Sequence, residues 1–417
     1  MRSPLPEPTS VLGRDPGPRA RIPGIDVARG LALLGMVAVH LLPLESPGPG
    51  GVPEPTWAAL WFAGKASTLF AVLAGTGLGL LAGGAVPLAR ARLAVVRRSV
   101  AARAGIIAVL GLGLAALDVP VAIILAHYGL LFIVTLPFLG LGARALARWA
   151  VGWLLLAPWL LAGLDTLLSP GRLDGSPGFT DLADPASFAG DLLLGGFYPV
   201  LLWTGFILLG LFLGRLRLNR PATAVLLLCC GTVLAAGARL ASDLLLGLPG
   251  ALGSLARATD GDPAALPTHL RTGQHLGGVG NSEWFQAIAA PHSGSLLDVL
   301  LVAGTAVAVL GACQLLAMAL SATGRGRAMV LLWPLAGAGS ATLTLYSAHL
   351  LALHLVPVGE SGLSATTHFA IYVAAALAFG LLLRLLGRRG PLESAVHAVA
   401  RSAASAPSAV SQRGRLD

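Results

Sequence analysis

The sequence predicts an all-α, polytopic integral membrane protein: a bundle of about ten transmembrane helices with both termini in the cytoplasm. Three observations predict it. Only 11% of the 417 residues are charged and 55% are hydrophobic, with a mean hydropathy of +0.79. A soluble domain carries about 25% charged residues, so charge this scarce cannot cover a water-facing surface. The chain divides into ten apolar runs, most of them near the roughly 20 residues that span a bilayer. The arginines fall in alternate connections between those runs.

The ten runs are Ile25–Leu42, Trp57–Leu81, Ala101–Leu117, Val119–Leu141, Ala145–Leu164, Leu192–Leu213, Ala222–Leu246, Leu296–Leu320, Val330–Val356 and Phe369–Leu386. The third is short and Arg103 must snorkel from it. Pro120 marks a sharp turn into the fourth. Connections after the second, fourth, sixth and eighth runs hold Arg90, Arg92, Arg97, Arg98 and Arg103; Arg144 and Arg148; Arg215, Arg217 and Arg220; Arg325 and Arg327. The other connections hold only Arg172, Arg257 and Arg271. The positive-inside rule puts the arginine-rich connections in the cytoplasm, and Arg14, Arg19, Arg21, Arg388 and Arg389 agree. Net charge +9 therefore marks orientation in a membrane, the plasma membrane by expectation, and not nucleic-acid binding. Residues 1–21 read as a disordered cytoplasmic tail, 22–393 as the membrane domain and 394–417 as a C-terminal tail. Two connections on the far side, 165–191 and 247–294, are long enough to hold structure of their own.

Within the second run, Ala71, Gly75, Gly79 and Gly83 form a small-residue ridge that lets another helix approach closely. No internal repeat of the kind found in many transporters is evident. Cys229, Cys230 and Cys313 lie in apolar runs and form neither a disulfide framework nor a zinc spacing. With no HExxH, CxxC or carboxylate cage, no metal is expected. A P-loop and a GxSxG elbow are also missing.

Ionisable groups at membrane depth are costly, which makes each a candidate functional group. In the first run Asp26 and Arg29 are three residues apart and can pair on one face; His40, close to three turns beyond Arg29, shares that stripe. The bland alternative is an interfacial ion pair. The second run holds Lys65, about 12 Å along its helix, and Ser67. The fourth holds His127 and Tyr128, the sixth Tyr198 and Trp203, and the ninth Thr342, Tyr346 and His349 on one helical face. His292 precedes the eighth. His40, His127, His292 and His349 all fall toward the far side. Histidine exchanges protons near neutral pH, which suits general-base chemistry. A stripe of this kind also suits a path for a polar solute, so a transporter or flippase stands as the alternative to an enzyme, with a structural or sensory protein as a third class.

The stretch Arg21–His40, RIPGIDVARGLALLGMVAVH, resembles the opening helix of the heparan-alpha-glucosaminide N-acetyltransferase superfamily. The chain is similar, more closely, to the bacterial YeiB-like membrane proteins. The pattern continues in GKASTLFAVLAG (Gly64–Gly75), ILAHYGLLF (Ile124–Phe132), PHSG (Pro291–Gly294), GSATLTLYSAH (Gly339–His349) and RGPLE (Arg389–Glu393). The resemblance implies a membrane acyltransferase that takes an acyl group, acetyl by analogy, from cytoplasmic acyl-CoA and delivers it to an amine or hydroxyl of a sugar or envelope component outside. On that reading the residues themselves suggest His40 as general base with His349 second to it, Lys65 for the oxyanion, an acceptor site among Asp26, Arg29, Ser67, His127, Tyr128, Tyr198, Trp203, His292 and Tyr346, and CoA phosphates near Arg90, Arg97 and Arg98. Oligomerisation is left open. The chain departs from the pattern at three points. His40 stands where the animal enzyme has Asn, residues 41–56 lack the histidine that follows there, and Lys65 replaces an arginine of bacterial relatives.

Overall fold

The computed structural model describes residues 22–117, 119–168, 176–259, 261–359 and 362–405. The expected N-terminal tail, residues 1–21, lies outside them. Of the described residues 76% are helical, and the strands among them are Glu45–Pro47 (β1) and Pro53–Pro55 (β2), an antiparallel pair.

The helices are α1 (Pro23–Leu41), α2 (Trp57–Phe62), α3 (Lys65–Leu81), α4 (Arg90–Leu114), α5 (Leu125–Thr135), α6 (Ala143–Leu168), α7 (Pro185–Leu194), α8 (Val200–Leu213), α9 (Pro221–Leu246), α10 (Ala251–Ala258), α11 (Leu266–Thr272), α12 (Leu296–Ala322), α13 (Trp333–Ser340), α14 (Thr342–Leu355), α15 (Ala365–Leu385) and α16 (Pro391–Ser405). Seven segments among the described residues are long and apolar enough to cross a membrane, or eight if the bent α13–α14 pair counts as one span. The two remaining apolar runs form shorter helices, Leu125–Gly140 and Val200–Leu213. Each predicted run thus meets a helix, but length alone qualifies fewer than ten.

Burial sorts the bundle into centre and rim. In the most apolar window of α1, 72% of residues are buried, whereas in α9 and α15 only 22% are. Side chains such as Val233, Leu331 and Ile371 stand open to the surroundings. An apolar helix this exposed needs lipid as its solvent. The inner helices carry the small residues. The predicted ridge on α3 meets α8: a Cβ on Gly75 would collide with the Ile207 carbonyl, and one on Gly210 with that of Val72. Backbone-to-backbone approach of this kind is how helices associate without a hydrophobic drive in lipid. Gly83 falls beyond the end of α3 and takes no part in the ridge.

Several boundaries differ from the hydropathy reading, each for a local reason. The helix expected at Ala101 begins at Arg90. Arginine is a good helix former, so the basic stretch read as a connection is the start of α4. The run Leu192–Leu213 breaks into α7 and α8 at Gly195, Gly196 and Pro199, with Gly196 at φ +64°. The run Val330–Val356 breaks into α13 and α14, bent by 72°. The second run breaks at Gly64, φ +69°, which makes Lys65 the first residue of α3. The connection 247–294 holds α10 and α11. The segment expected as a C-terminal tail contributes most of α16, whose Val396 and Ala400 are buried; Arg98 donates to the Ala404 carbonyl, 3.5 Å, from α4.

Candidate functional site between the arginine and histidine ends

Arg29, near the start of α1, donates to the carbonyl of Leu73 on α3 at 3.5 Å and pairs with Asp26 at 3.5 Å. The i, i+3 pair is the one its spacing predicted. The same end of the bundle contains Arg215, 3% exposed. Its guanidinium donates to five carbonyls: Gly79, Ala82 and Gly84 at the C-terminal end of α3, and Leu139 and Leu141 after α5. A cation belongs where helix carbonyls have no amide partner. Burial pushes its pKa down, yet an arginine stays charged.

The opposite end of α1 carries His40. Its Nδ1 lies 2.9 Å from Nε2 of the buried His349 on α14, and the two rings stack at 5.1 Å between centroids. Whatever the tautomer, one ring nitrogen donates and the other accepts, so the pair shares one proton across that bond. Tyr346, one turn before His349, packs edge-on against its ring at 5.1 Å. The Tyr346 hydroxyl accepts from the amide of Ile124 at 3.4 Å. The helix that presents both residues has no capping side chain of its own. Glu393 supplies the cap from α16. Its carboxylate accepts from the amides of Leu343 and Thr344 at 2.7 and 3.2 Å and from the Thr344 hydroxyl at 2.6 Å.

Between these ends lies a cavity of about 310 Å³, lined among others by Arg29, Arg103, Met36, Phe70, Tyr128 and Tyr346. Met36 is one turn below His40 on α1, and Tyr346 touches His349, so the cavity leads from two arginines to the histidine pair. Arg29 and Met36 are seven residues apart, about 10 Å along the helix. The Tyr128 hydroxyl is buried with no hydrogen-bond partner, and so is Nε of Arg103. Two unsatisfied groups on one wall, at about 1–3 kcal/mol each, are groups waiting for a ligand.

A second cavity, about 480 Å³, is lined by Thr68, Phe197, Trp203, Phe206, His292 and Asp298, and by the loop from Gly273 to Asn281. Tyr198 packs against its lining. Its ring contacts those of Trp203, His127 and His292 at 5.1, 5.7 and 5.8 Å. His292 sits at φ +60°, an uncommon backbone for a side chain larger than glycine or asparagine. Burial lowers its pKa to about 4, against a smaller opposing hydrogen bond with the Phe197 backbone, so the ring is neutral.

A family model described as heparan-alpha-glucosaminide N-acetyltransferase, catalytic, matches residues 21–232, half of the chain. The chain belongs to the heparan-alpha-glucosaminide N-acetyltransferase family. No individual curated protein matches it. The matched region supplies Arg29, His40, Arg103, Tyr128, Tyr198 and Trp203. His292, Tyr346 and His349 lie beyond it, so the family region and the later half build the site jointly.

Of the expected residues, Arg29, Tyr128 and Tyr346 line the first cavity, with Asp26 paired to Arg29 and the His40–His349 pair behind Tyr346, and Trp203 and His292 line the second. Other expected residues lie elsewhere. Lys65 donates to the Leu60 carbonyl at 2.9 Å and lines a third space of about 280 Å³ with Arg239 and Asp298. The Ser67 hydroxyl donates to the Gly64 carbonyl at the start of α3, 3.2 Å. Arg97 binds the carbonyls of Leu136 and Pro137 at 3.0 and 3.3 Å, Arg98 is engaged with α16, and Arg90 is exposed. Sequence reasoning assigned these arginines to CoA, whereas Arg103 is the one from that stretch that faces the cavity. Helical phase carried the signal, since Arg103 lies on a different face from Arg97 and Arg98. Asp298 and Glu393 were also missed. Asp298 reads as a first-turn helix acid, and Glu393 reaches α14 only through the tertiary fold.

Proposed function

We propose that the protein is a membrane acyltransferase. It takes an acyl group, acetyl by family analogy, from acyl-CoA at the arginine end and passes it to an amine or hydroxyl of a sugar or envelope component at the histidine end. The carrying observation is the cavity of about 310 Å³ that has Arg29 and Arg103 at one end and, at the other, Tyr346 against the His40–His349 pair. Ligand pockets run from about 300 to 1,000 Å³. This one suits the thioester arm, with the nucleotide left outside beside the arginines, which bind phosphate in fork geometry. Under the positive-inside rule the arginine end is cytoplasmic, where acyl-CoA is made, and the host is the plasma membrane.

The acceptor nucleophile attacks the thioester carbonyl while His40 takes its proton, with His349 sharing the charge through their bond. The carbonyl oxygen becomes an oxyanion, and the unpartnered Tyr128 hydroxyl is the donor available on the cavity wall. Collapse forms the new C–N or C–O bond and breaks C–S. The departing thiolate recovers the proton and leaves as the free CoA thiol. Trp203 and His292 line the larger cavity, where an apolar ring face and a neutral imidazole suit a sugar acceptor.

The test uses purified protein in proteoliposomes, radiolabelled acetyl-CoA and amino-sugar or envelope acceptors. Wild type labels an acceptor and releases CoA thiol. His40→Asn and His349→Asn lower the rate about 100-fold or more with unchanged melting temperature. Equal labelling by both variants removes the pair from the mechanism, and failure of wild type to bind or cleave acetyl-CoA ends the reading. One observation favours a transporter: the 72° break between α13 and α14, since interrupted helices line solute paths. Solute flux without any CoA donor supports that alternative.

A further inference from the structure

We propose that the histidine end holds a divalent first-row transition metal, zinc by its donor set, bound by Glu45, His269 and His275 with water in the fourth position. One ligand atom from each of the three lies within 4.8 Å of the others. Three separate elements supply them: β1, α11 and the loop after it. The arrangement is held from several sides. The Thr272 hydroxyl donates to Glu45 Oε1 at 2.6 Å and fixes the carboxylate. Thr268 ties α11 to the Pro53 carbonyl of β2 at 2.7 Å. The Thr259 hydroxyl donates to the His275 carbonyl at 3.2 Å and anchors that loop.

Two features point to a ligand. His269 is 5% exposed, yet its Nδ1 has no hydrogen-bond partner, and its Nε2 stands 4.0 Å from Glu45 Oε2, beyond hydrogen-bond range. A buried imidazole left so far from its carboxylate is poorly satisfied by protein atoms alone. His275 sits at φ +50°, a backbone state that costs about 1 kcal/mol or more for a residue of this type. That conformation holds its ring 5.1 Å from the ring of His269. A tetrahedral ion with ligand bonds of about 2.1 Å draws donor atoms to about 3.4 Å from one another. The exposed His275 has room to make that adjustment.

The donor chemistry selects the ion. Two imidazoles and one carboxylate with an open fourth position are a zinc set. Calcium and magnesium take all-oxygen shells, and no thiolate is present for softer ions. Thr272 is the outer-shell partner that ligating carboxylates need. Occupancy would also act on the neighbouring cavity, because the loop from Gly273 to Asn281 both carries His275 and lines the 480 Å³ space beside His292. The ion then pins that wall.

The test uses the full chain, free of any polyhistidine tag, purified in detergent, stripped with chelator and titrated with Zn²⁺ alone. Wild type is expected to bind one zinc per chain and to melt at a higher temperature when loaded. Co²⁺ substituted for zinc should give the visible absorption of a four-coordinate site. Buried His269 is left intact. His275→Asn, which tolerates the same backbone state, and Glu45→Gln should each weaken binding at least tenfold and abolish the thermal shift. Thr272→Val should weaken it about tenfold while sparing every ligand. Absence of stoichiometric zinc in wild type, or equal binding by His275→Asn and Glu45→Gln, overturns the proposal. Zinc binding is read directly, so neither result tests the acyl-transfer roles of His40, His349 and Tyr128, which are not ligands of the site.

Discussion

The two ends of the bundle treat their polar side chains in opposite ways. At the arginine end, Arg215, Arg97 and Arg98 donate to backbone carbonyls at helix ends and loops. Their charge closes the ends of α3 and the segment after α5 and docks α16. Between the ends and toward the histidines, Tyr128 Oη and Asp298 Oδ1 are buried without partners. Satisfied polar groups hold a fold together. Unsatisfied ones cost stability and persist where something else is meant to meet them. The abundance of arginine is therefore a poor guide to the site, and the hydrogen-bond census is a better one.

That contrast breaks first at Arg215. Replacing it with Ala leaves several carbonyls unpaired and should cost at least about 3 kcal/mol, read as a large fall in melting temperature in detergent. Arg215→Lys should restore only part of it, because a single ammonium cannot span five acceptors. Tyr128→Phe probes the other side. It should lower acyl transfer about 100-fold while melting temperature holds or rises, since it removes an unpaired hydroxyl. A parallel loss of stability and activity would assign Tyr128 to the fold. Arg103→Gln should raise KM for acyl-CoA about tenfold with kcat little changed, whereas Arg97→Gln should affect stability and leave KM alone.

The smallest effect concerns pH. His292 has a folded pKa of about 4, below the ordinary 6.5. The unfolded chain thus binds the proton more readily. The contribution of His292 is complete above about pH 6.5 and is lost as pH falls toward 4, reaching about 1 kcal/mol by pH 5.5. Melting temperature measured across that window should fall less steeply for His292→Asn, which suits φ +60°. Identical slopes would exclude His292 as a contributor.

Much of the fold was legible along the chain. The α3 ridge of Gly75 and Gly79, the Asp26–Arg29 pair and the shared face of Tyr346 and His349 all follow from helical periodicity, a local property that apolar and small residues display directly. Breaks inside apolar runs were less legible. Gly64, Gly196 and the α13–α14 bend interrupt helices without interrupting hydropathy, because glycine does not lower an apolar average enough to register. Lys65 illustrates the consequence. Sequence distance puts it at membrane depth beside His40. The break at Gly64 makes it the opening residue of α3, turned toward Leu60 and the space shared with Asp298.

The sequence by itself determined the solvent, the helical class, the family and the two chemical ends, because each is written in composition, local period or short motifs. Only the tertiary structure decided which arginines serve the backbone and which face a cavity. It also decided that His40 meets His349, that Glu393 caps the helix presenting that histidine, and that Glu45 joins His269 and His275. Those pairings link residues far apart in the chain, and which of them form depends on how the small-residue helices pack backbone to backbone. Helix packing of that kind fixes distances that no local pattern along one helix encodes.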